Sequence, residues 1–108
     1  MSWTDIGALH DIPLRGARTV KTPSGCVAVF RTGEAEVFAV SNACPHRGGP
    51  LAEGLVHGTR VTCPLHAWTF DLATGAAQGA DEGRVATWPV RVEGGRVLLD
   101  LAAARDAA

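Results

Sequence analysis

The chain has 108 residues, with ten Lys and Arg against eleven Asp and Glu, and a formal net charge of −1. This length fits one domain around a single core. The near-neutral charge offers no basic field for phosphate backbones, which excludes nucleic acid as an expected partner. The beginning of the chain has neither a cationic segment followed by an apolar one nor an apolar run that could span a bilayer. We therefore expect a soluble, cytoplasmic protein without a membrane partner.

β-strand patterns occur almost throughout the chain, and no segment predicts a convincing helix. The β-branched and aromatic runs "GCVAVFR" (25–31) and "EVFAVS" (36–41) predict two strands, and "TGEA" around Gly33 predicts the turn that joins them. Further short strand candidates, separated by glycines and by the turn "LATG", lie at residues 60–63, 68–71 and 84–88.

A second hairpin is predicted near the end of the chain. It joins "WPVRV" (88–92) to "RVLLDL" (96–101) through a turn whose Gly94 and Gly95 suit positive φ. The Ala-rich tail at 102–108 predicts a frayed helical turn at most. Many short strands with frequent turns indicate an all-β, antiparallel sandwich or barrel.

The chain twice places a Cys and a His beside a proline, in "ACPHRGGPL" and in "TCPLHAW". Two such pairs among only three cysteines and four histidines are not expected by chance. Both segments fall between predicted strands, so their side chains would converge from two loops. The candidate ligands are Cys44, His46, Cys63 and His66.

The remaining cysteine and histidines are interpreted differently because each stands alone. His10 and His57 lie among polar and glycine neighbours, which predicts solvated side chains. Cys26 has no predicted partner, and we expect it to be a core thiol of a protein in a reducing compartment.

Two kinds of metal centre suit two Cys and two His. Zinc accepts this set, but its paired ligands usually stand two residues apart, whereas one residue separates Cys44 from His46. A [2Fe-2S] cluster with two thiolates on one iron and two imidazoles on the other accounts for Cys-x-His and Cys-x-x-His, with each loop giving one ligand to each iron. The spacing favours the cluster, with zinc or no metal as the alternatives.

The motifs "CPHRGGPL" and "CPLHAWTFDLATG" resemble the Rieske [2Fe-2S] family, and the resemblance covers nearly the whole chain. It implies a single Rieske-type β-sandwich or barrel domain at residues 2–101, followed by the tail at 102–108. The domain would carry a cluster-binding subdomain made of two loops, 43–51 and 62–71.

The same resemblance implies the roles of the four candidate ligands. Cys44 and Cys63 would bind the inner iron of the cluster, and His46 and His66 the outer, exposed iron. The chain would then be an electron carrier, with no complete catalytic site of its own. Respiratory members of the family have a hydroxyl-bearing side chain at the position of Phe70, so its absence here implies a low-potential centre.

Within the family, "GLVHG", "VTCPLH" and "GADEG" resemble the small subunit of assimilatory NAD(P)H-dependent nitrite reductase. Ala67 departs from that pattern, in which asparagine commonly follows the second His. The resemblance implies a large sirohaem and flavin subunit as partner, which reduces nitrite to ammonia in nitrate assimilation. The alternatives are a stand-alone Rieske ferredoxin that delivers electrons to an aromatic-ring-hydroxylating dioxygenase, and a non-catalytic assembly module in which the cluster only stiffens the fold.

Overall fold

Ten β-strands and two single-turn 3-10 helices make up the secondary structure of the described residues in a computed structural model. The structure describes residues 3–23, 25–42, 51–63, 69–77 and 84–102. Among the predicted ligands, Cys44, His46 and His66 lie outside these ranges, as does most of the tail. Within the described residues, no helix is long and apolar enough to cross a membrane.

The strands pair antiparallel in three sheets. The first sheet consists, in spatial order, of β1 (Trp3–Ala8), β10 (Arg96–Asp100) and β9 (Val90–Glu93). The central sheet consists of β2 (Ala17–Thr22), β3 (Gly25–Arg31), β4 (Val37–Ser41) and β8 (Thr87–Trp88). The small sheet consists of β5 (Leu55–His57), β6 (Arg60–Thr62) and β7 (Thr69–Asp71).

The predicted all-β antiparallel fold and both predicted hairpins are confirmed. β3 pairs with β4 across a turn in which the Thr32 backbone N–H donates to the Glu36 carbonyl at 3.0 Å. β9 pairs with β10 across Gly94 and Gly95, whose φ angles are +54° and +76°. Only glycine adopts these angles without steric cost, which explains why this turn could be predicted from the sequence.

Several elements differ from the sequence expectations. β1 and β2 were not predicted, because they mix polar, small and apolar side chains without regular alternation. β5 was not predicted because three residues are too few to show a pattern. The candidate strand at 84–88 is shorter than expected, since only Thr87–Trp88 form a strand. Residue 62 and residues 69–71, which fell within the predicted second loop, are strand residues.

The central sheet lies between two apolar layers, because the side chains of β3 and β4 alternate between its faces. The distal layer packs against the first sheet and consists of Leu9, Ile12, Val27, Val29, Val37, Ala39, Trp88, Val97 and Leu99. The site layer packs against the small sheet and consists of Ala28, Phe30, Val40, Leu51, Val61, Cys63, Phe70, Leu72 and Val85.

The prediction that Cys26 is a core thiol is wrong. Cys26 is exposed, because burial along β3 begins only at the next residue, Val27. The residues at the start of β3 extend beyond the part of the central sheet that the two apolar layers cover. His10 and His57 are exposed, as predicted.

An ion pair joins the two strands at the edge of the first sheet. Arg96 donates to both carboxylate oxygens of Asp5 at 3.0 Å, and the Gly7 backbone N–H donates to the same carboxylate at 2.9 Å. These hydrogen bonds, that from Arg96 first, hold the pKa of Asp5 below its ordinary value. This ion pair belongs to the scaffold, since the buried apolar residues that the described part of the first sheet contributes, Val97 and Leu99, belong to the distal layer.

Candidate functional site

Cys63 is the predicted ligand that the structure describes. It follows the last residue of β6, and only 1% of its surface is exposed. Its neighbours in the site layer include Leu51, Val61 and Phe70, which are fully buried. The thiol of Cys63 therefore lies in an apolar, water-excluded part of the core.

The second predicted loop begins and ends on neighbouring strands of the small sheet, and a contact between side chains joins its two ends, which we call the base of the loop. Thr62 on β6 stands opposite Thr69 on β7, and their hydroxyl oxygens are 3.0 Å apart. The Thr62 hydroxyl also lies 2.8 Å from Nε2 of His57 on β5. A polar contact thus links all three strands on the solvent face of the sheet immediately before Cys63.

The first predicted loop also has a closed base, through a side chain that the sequence analysis did not single out. The Ala52 backbone N–H donates to Oδ1 of Asn42 at 2.7 Å. Asn42 follows β4, and Ala52 lies in the 3-10 turn Leu51–Glu53, so the bond spans residues 43–51. The sequence feature that could have indicated this contact is an asparagine at the end of a predicted strand, two residues before Cys44.

A close approach at Gly54 brings the bases of the two loops together. A Cβ atom at this position would lie 2.3 Å from the Thr62 carbonyl oxygen and 2.9 Å from a methyl carbon of Val61. Only glycine permits that approach without displacing backbone. The end of the first loop therefore packs directly against the strand that leads to Cys63.

The structure thus supports the convergence of the two loops at their bases, while the ligand set itself remains a prediction. Cys44, His46 and His66 lie outside the described residues. Across the described ranges, no group of three His, Cys, Asp or Glu side chains could hold a metal ion. Only Cys63 can therefore be tested against the chemistry of an iron ligand.

The surroundings of Cys63 fit a metal ligand. A thiolate is the form of cysteine that binds metal, and an uncompensated charge in an apolar site is costly. Iron bound to sulfur compensates that charge, and [2Fe-2S] clusters are held by Cys or by Cys and His. The apolar side chains around Cys63 would also limit the access of water to the cluster, which affects its potential.

A cavity of about 170 Å³ lies elsewhere, beside the central sheet, and none of its lining residues is a predicted ligand. Trp88 lines it, and the buried indole N–H of Trp88 has no hydrogen-bond partner among the described residues. The cavity does not belong to the candidate site.

Comparison with known proteins identifies the family of this arrangement. A family model for the Rieske-like [2Fe-2S] domain matches residues 2–100. The ferredoxin component of the naphthalene 1,2-dioxygenase system from Pseudomonas aeruginosa is 35% identical over 100 residues, covering 92% of this chain and 95% of the relative.

Two solved structures show the same fold over most of their length. The ferredoxin of carbazole 1,9a-dioxygenase from Nocardioides aromaticivorans IC177 aligns with a TM-score of 0.83 and 27% identity, covering 92% of this chain and 97% of that one. A Mycobacterium tuberculosis protein assigned as an NADH-dependent nitrite reductase small subunit aligns with a TM-score of 0.82 and 29% identity, covering 99% of this chain and 97% of that one.

Proposed function

Because the chain belongs to the Rieske-like [2Fe-2S] domain family, we propose that it is the small, electron-transferring subunit of an NAD(P)H-dependent nitrite reductase. Electron transfer by a [2Fe-2S] cluster is the property of the family.

The proposed cluster ligands are Cys44, His46, Cys63 and His66. When bound, a cluster with this ligand set accepts and returns single electrons, at potentials of roughly −150 to +300 mV because neutral imidazoles replace two thiolates. The chain's own contribution is to bury Cys63 in the site layer and to bring the bases of both loops together at Gly54. No acid–base pair is proposed, and the partner supplies the site of nitrite reduction.

The observation that carries the nitrite reductase proposal is end-to-end similarity. The Mycobacterium tuberculosis small subunit covers 99% of this chain, and 97% of its own length is matched in return. The segments "GLVHG", "VTCPLH" and "GADEG" support the same proposal from the sequence. The implied partner is the large sirohaem and flavin subunit. This chain would exchange electrons with that subunit.

A second candidate function is favoured by a different observation. Ferredoxin components of aromatic-ring dioxygenase systems are among the relatives of this chain, and that of the naphthalene system is 35% identical, against 29% for the Mycobacterium tuberculosis protein. In that case the chain would be a stand-alone carrier between a reductase and an oxygenase. The two candidates share the cluster and its ligands and differ in the partner that reoxidises it.

Reconstitution with defined partners separates the two. The reduced chain would be mixed anaerobically with the large nitrite reductase subunit, and ammonia formed from nitrite would be measured with and without the chain. The proposal predicts that ammonia formation depends on the chain and that the pair co-elutes as a complex. If nitrite reduction is unaffected while the chain reoxidises rapidly with a ring-hydroxylating oxygenase, the second candidate replaces the first.

A further inference from the structure

We propose that Asn42 is a positioning residue for the first loop: its carboxamide closes the base of residues 43–51 and thereby fixes the backbone that carries Cys44 and His46. Asn42 is the only asparagine in the chain. The inference rests on the proposed ligand set, and it assigns to Asn42 a role in cluster retention and not in binding iron.

Asn42 is itself held firmly in place by backbone hydrogen bonds. Its own N–H donates to the Cys26 carbonyl at 3.0 Å, which continues the β3–β4 ladder one residue beyond β4. The preceding residue, Ser41, donates its N–H to the Ala86 carbonyl at 2.8 Å. The side chain of Asn42 therefore projects from a backbone that the central sheet has already ordered.

The two ends of the Asn42 carboxamide contact different parts of the molecule. A backbone N–H can only donate, so the group that meets the Ala52 N–H at 2.7 Å must be the carbonyl oxygen, Oδ1. The amide nitrogen Nδ2 then faces Sγ of Cys26 at 3.7 Å, within reach of a weak hydrogen bond to sulfur. One side chain thus joins the end of the first loop to β3.

Of the two contacts of the Asn42 side chain, the hydrogen bond from Ala52 is the one that closes the first loop. Closing a segment of this length restricts its conformations, and a partly buried N–H that loses its acceptor is destabilising. Cys44 stands two residues after Asn42 in the sequence, so we expect loss of this bond to affect the proposed ligands. Sites whose supporting residues are loose lose geometry and affinity for their metal.

Four variants test this role. Asn42→Ala removes both contacts, Asn42→Asp keeps an oxygen acceptor for Ala52, and Cys26→Ala removes only the sulfur contact. Thr32→Ala is the matched control, because it deletes a side-chain hydrogen bond to Glu36 in the turn at the opposite end of the β3–β4 hairpin. The readouts are loss of the visible absorbance of the cluster under excess iron chelator, and amide hydrogen exchange at Ala52 in the iron-free chain.

We expect Asn42→Ala to lose iron roughly five- to tenfold faster than wild type, the size expected for one side-chain hydrogen bond. The Ala52 amide should exchange faster by a similar factor. Asn42→Asp, Cys26→Ala and Thr32→Ala should stay within about twofold of wild type, since each keeps an acceptor for Ala52.

Two results would overturn the positioning role: iron loss from Asn42→Ala at the wild-type rate, or iron loss from Asn42→Asp as fast as from Asn42→Ala. If Asn42→Ala cannot be loaded with iron, unchanged exchange at Ala52 in its iron-free form would also overturn it. A wild-type chain that binds no iron would instead refute the proposed function, so the two failures are distinguishable.

Discussion

The two apolar layers on either side of the central sheet are built by different means. The distal layer is closed by the first sheet, whose strands have four to six residues and pair along most of their length, with one irregularity between Asp5 and Gly7. The site layer is closed by the small sheet, whose strands have only three residues each, and it contains Cys63. From this difference we expect β-pairing and apolar burial to stabilise the distal layer, and we expect the site layer to depend more on loop closure and on the cofactor that Cys63 would bind.

The largest effect is expected from the ligand in the site layer. Cys63→Ser should reduce iron from about two atoms per chain to a small fraction of that, because a hydroxyl is a poor substitute for a thiolate on iron. Cys26→Ser is the matched control and should keep its iron, since Cys26 is exposed on β3. Iron analysis and visible absorption check both variants. Iron retained in Cys63→Ser would remove Cys63 from the ligand set.

Two fully buried leucines, Leu51 in the site layer and Leu99 in the distal layer, allow the two layers to be compared. Leu51→Ala and Leu99→Ala should each lower the free energy of unfolding of the iron-free chain by about 2–5 kcal/mol, because each leaves a cavity. Only Leu51→Ala should also accelerate iron loss, since Leu51 lies in the site layer at the end of the first loop. Chemical denaturation and chelator challenge measure the two effects. Equal acceleration in both variants would show that the layers are not independent.

A hydroxyl in the site layer should change the redox potential. Phe70 is fully buried in the same layer as Cys63, and a tyrosine hydroxyl that donates to cluster sulfur stabilises the reduced state more than the oxidised state. We expect Phe70→Tyr to raise the midpoint potential by roughly 40–90 mV, equivalent to about 1–2 kcal/mol. Phe30→Tyr adds a buried hydroxyl to the same layer from β3 instead of β7, and it therefore separates the effect of position 70 from that of any buried hydroxyl. An unchanged midpoint in folded, loaded Phe70→Tyr would show that its hydroxyl does not reach sulfur.

The smallest effect is expected in the first sheet. The pKa of Asp5 is lowered by Arg96 and by the Gly7 N–H, so its carboxylate stabilises the fold above the ordinary pKa of an aspartate. This contribution is lost as the pH falls through the lowered pKa. Asp5→Asn should therefore melt slightly below wild type at pH 7, and the difference should shrink below about pH 4.

Iron retention in Asp5→Asn tests whether the first sheet also supports the cluster loops. Asp5→Asn should lose iron at the wild-type rate, because Asp5 lies in the first sheet, away from the site layer. Faster iron loss in this variant would show that the first sheet also supports the cluster loops.

The parts of the fold that were predictable are those whose signals are local. The β3–β4 hairpin has dense apolar residues, and the β9–β10 turn has two glycines that require positive φ. β2 was missed because much of its surface is exposed, so its residues carry no apolar pattern. The small sheet was only partly predicted, since three-residue strands are defined by their partners more than by their own sequence.

The sequence suggests a set of candidate ligands, which stays a prediction, but it does not suggest the residues that support the loops. Two Cys and His pairs with short spacing stand out in any sequence, whereas the bond from Ala52 to Asn42 joins residues ten positions apart and appears only in the folded chain. Cys26 was assigned to the core because it lacked a predicted partner. Its exposure depends on which part of β3 the neighbouring layers cover, and no local pattern reports that.

The most direct test of the central claim is electron paramagnetic resonance of the purified, reduced chain, combined with metal analysis. We expect a red-brown protein with about two iron atoms per chain and a rhombic signal on one-electron reduction, because one iron would be bound by thiolates and the other by imidazoles. A colourless protein with one tightly bound zinc and no signal on reduction would contradict it.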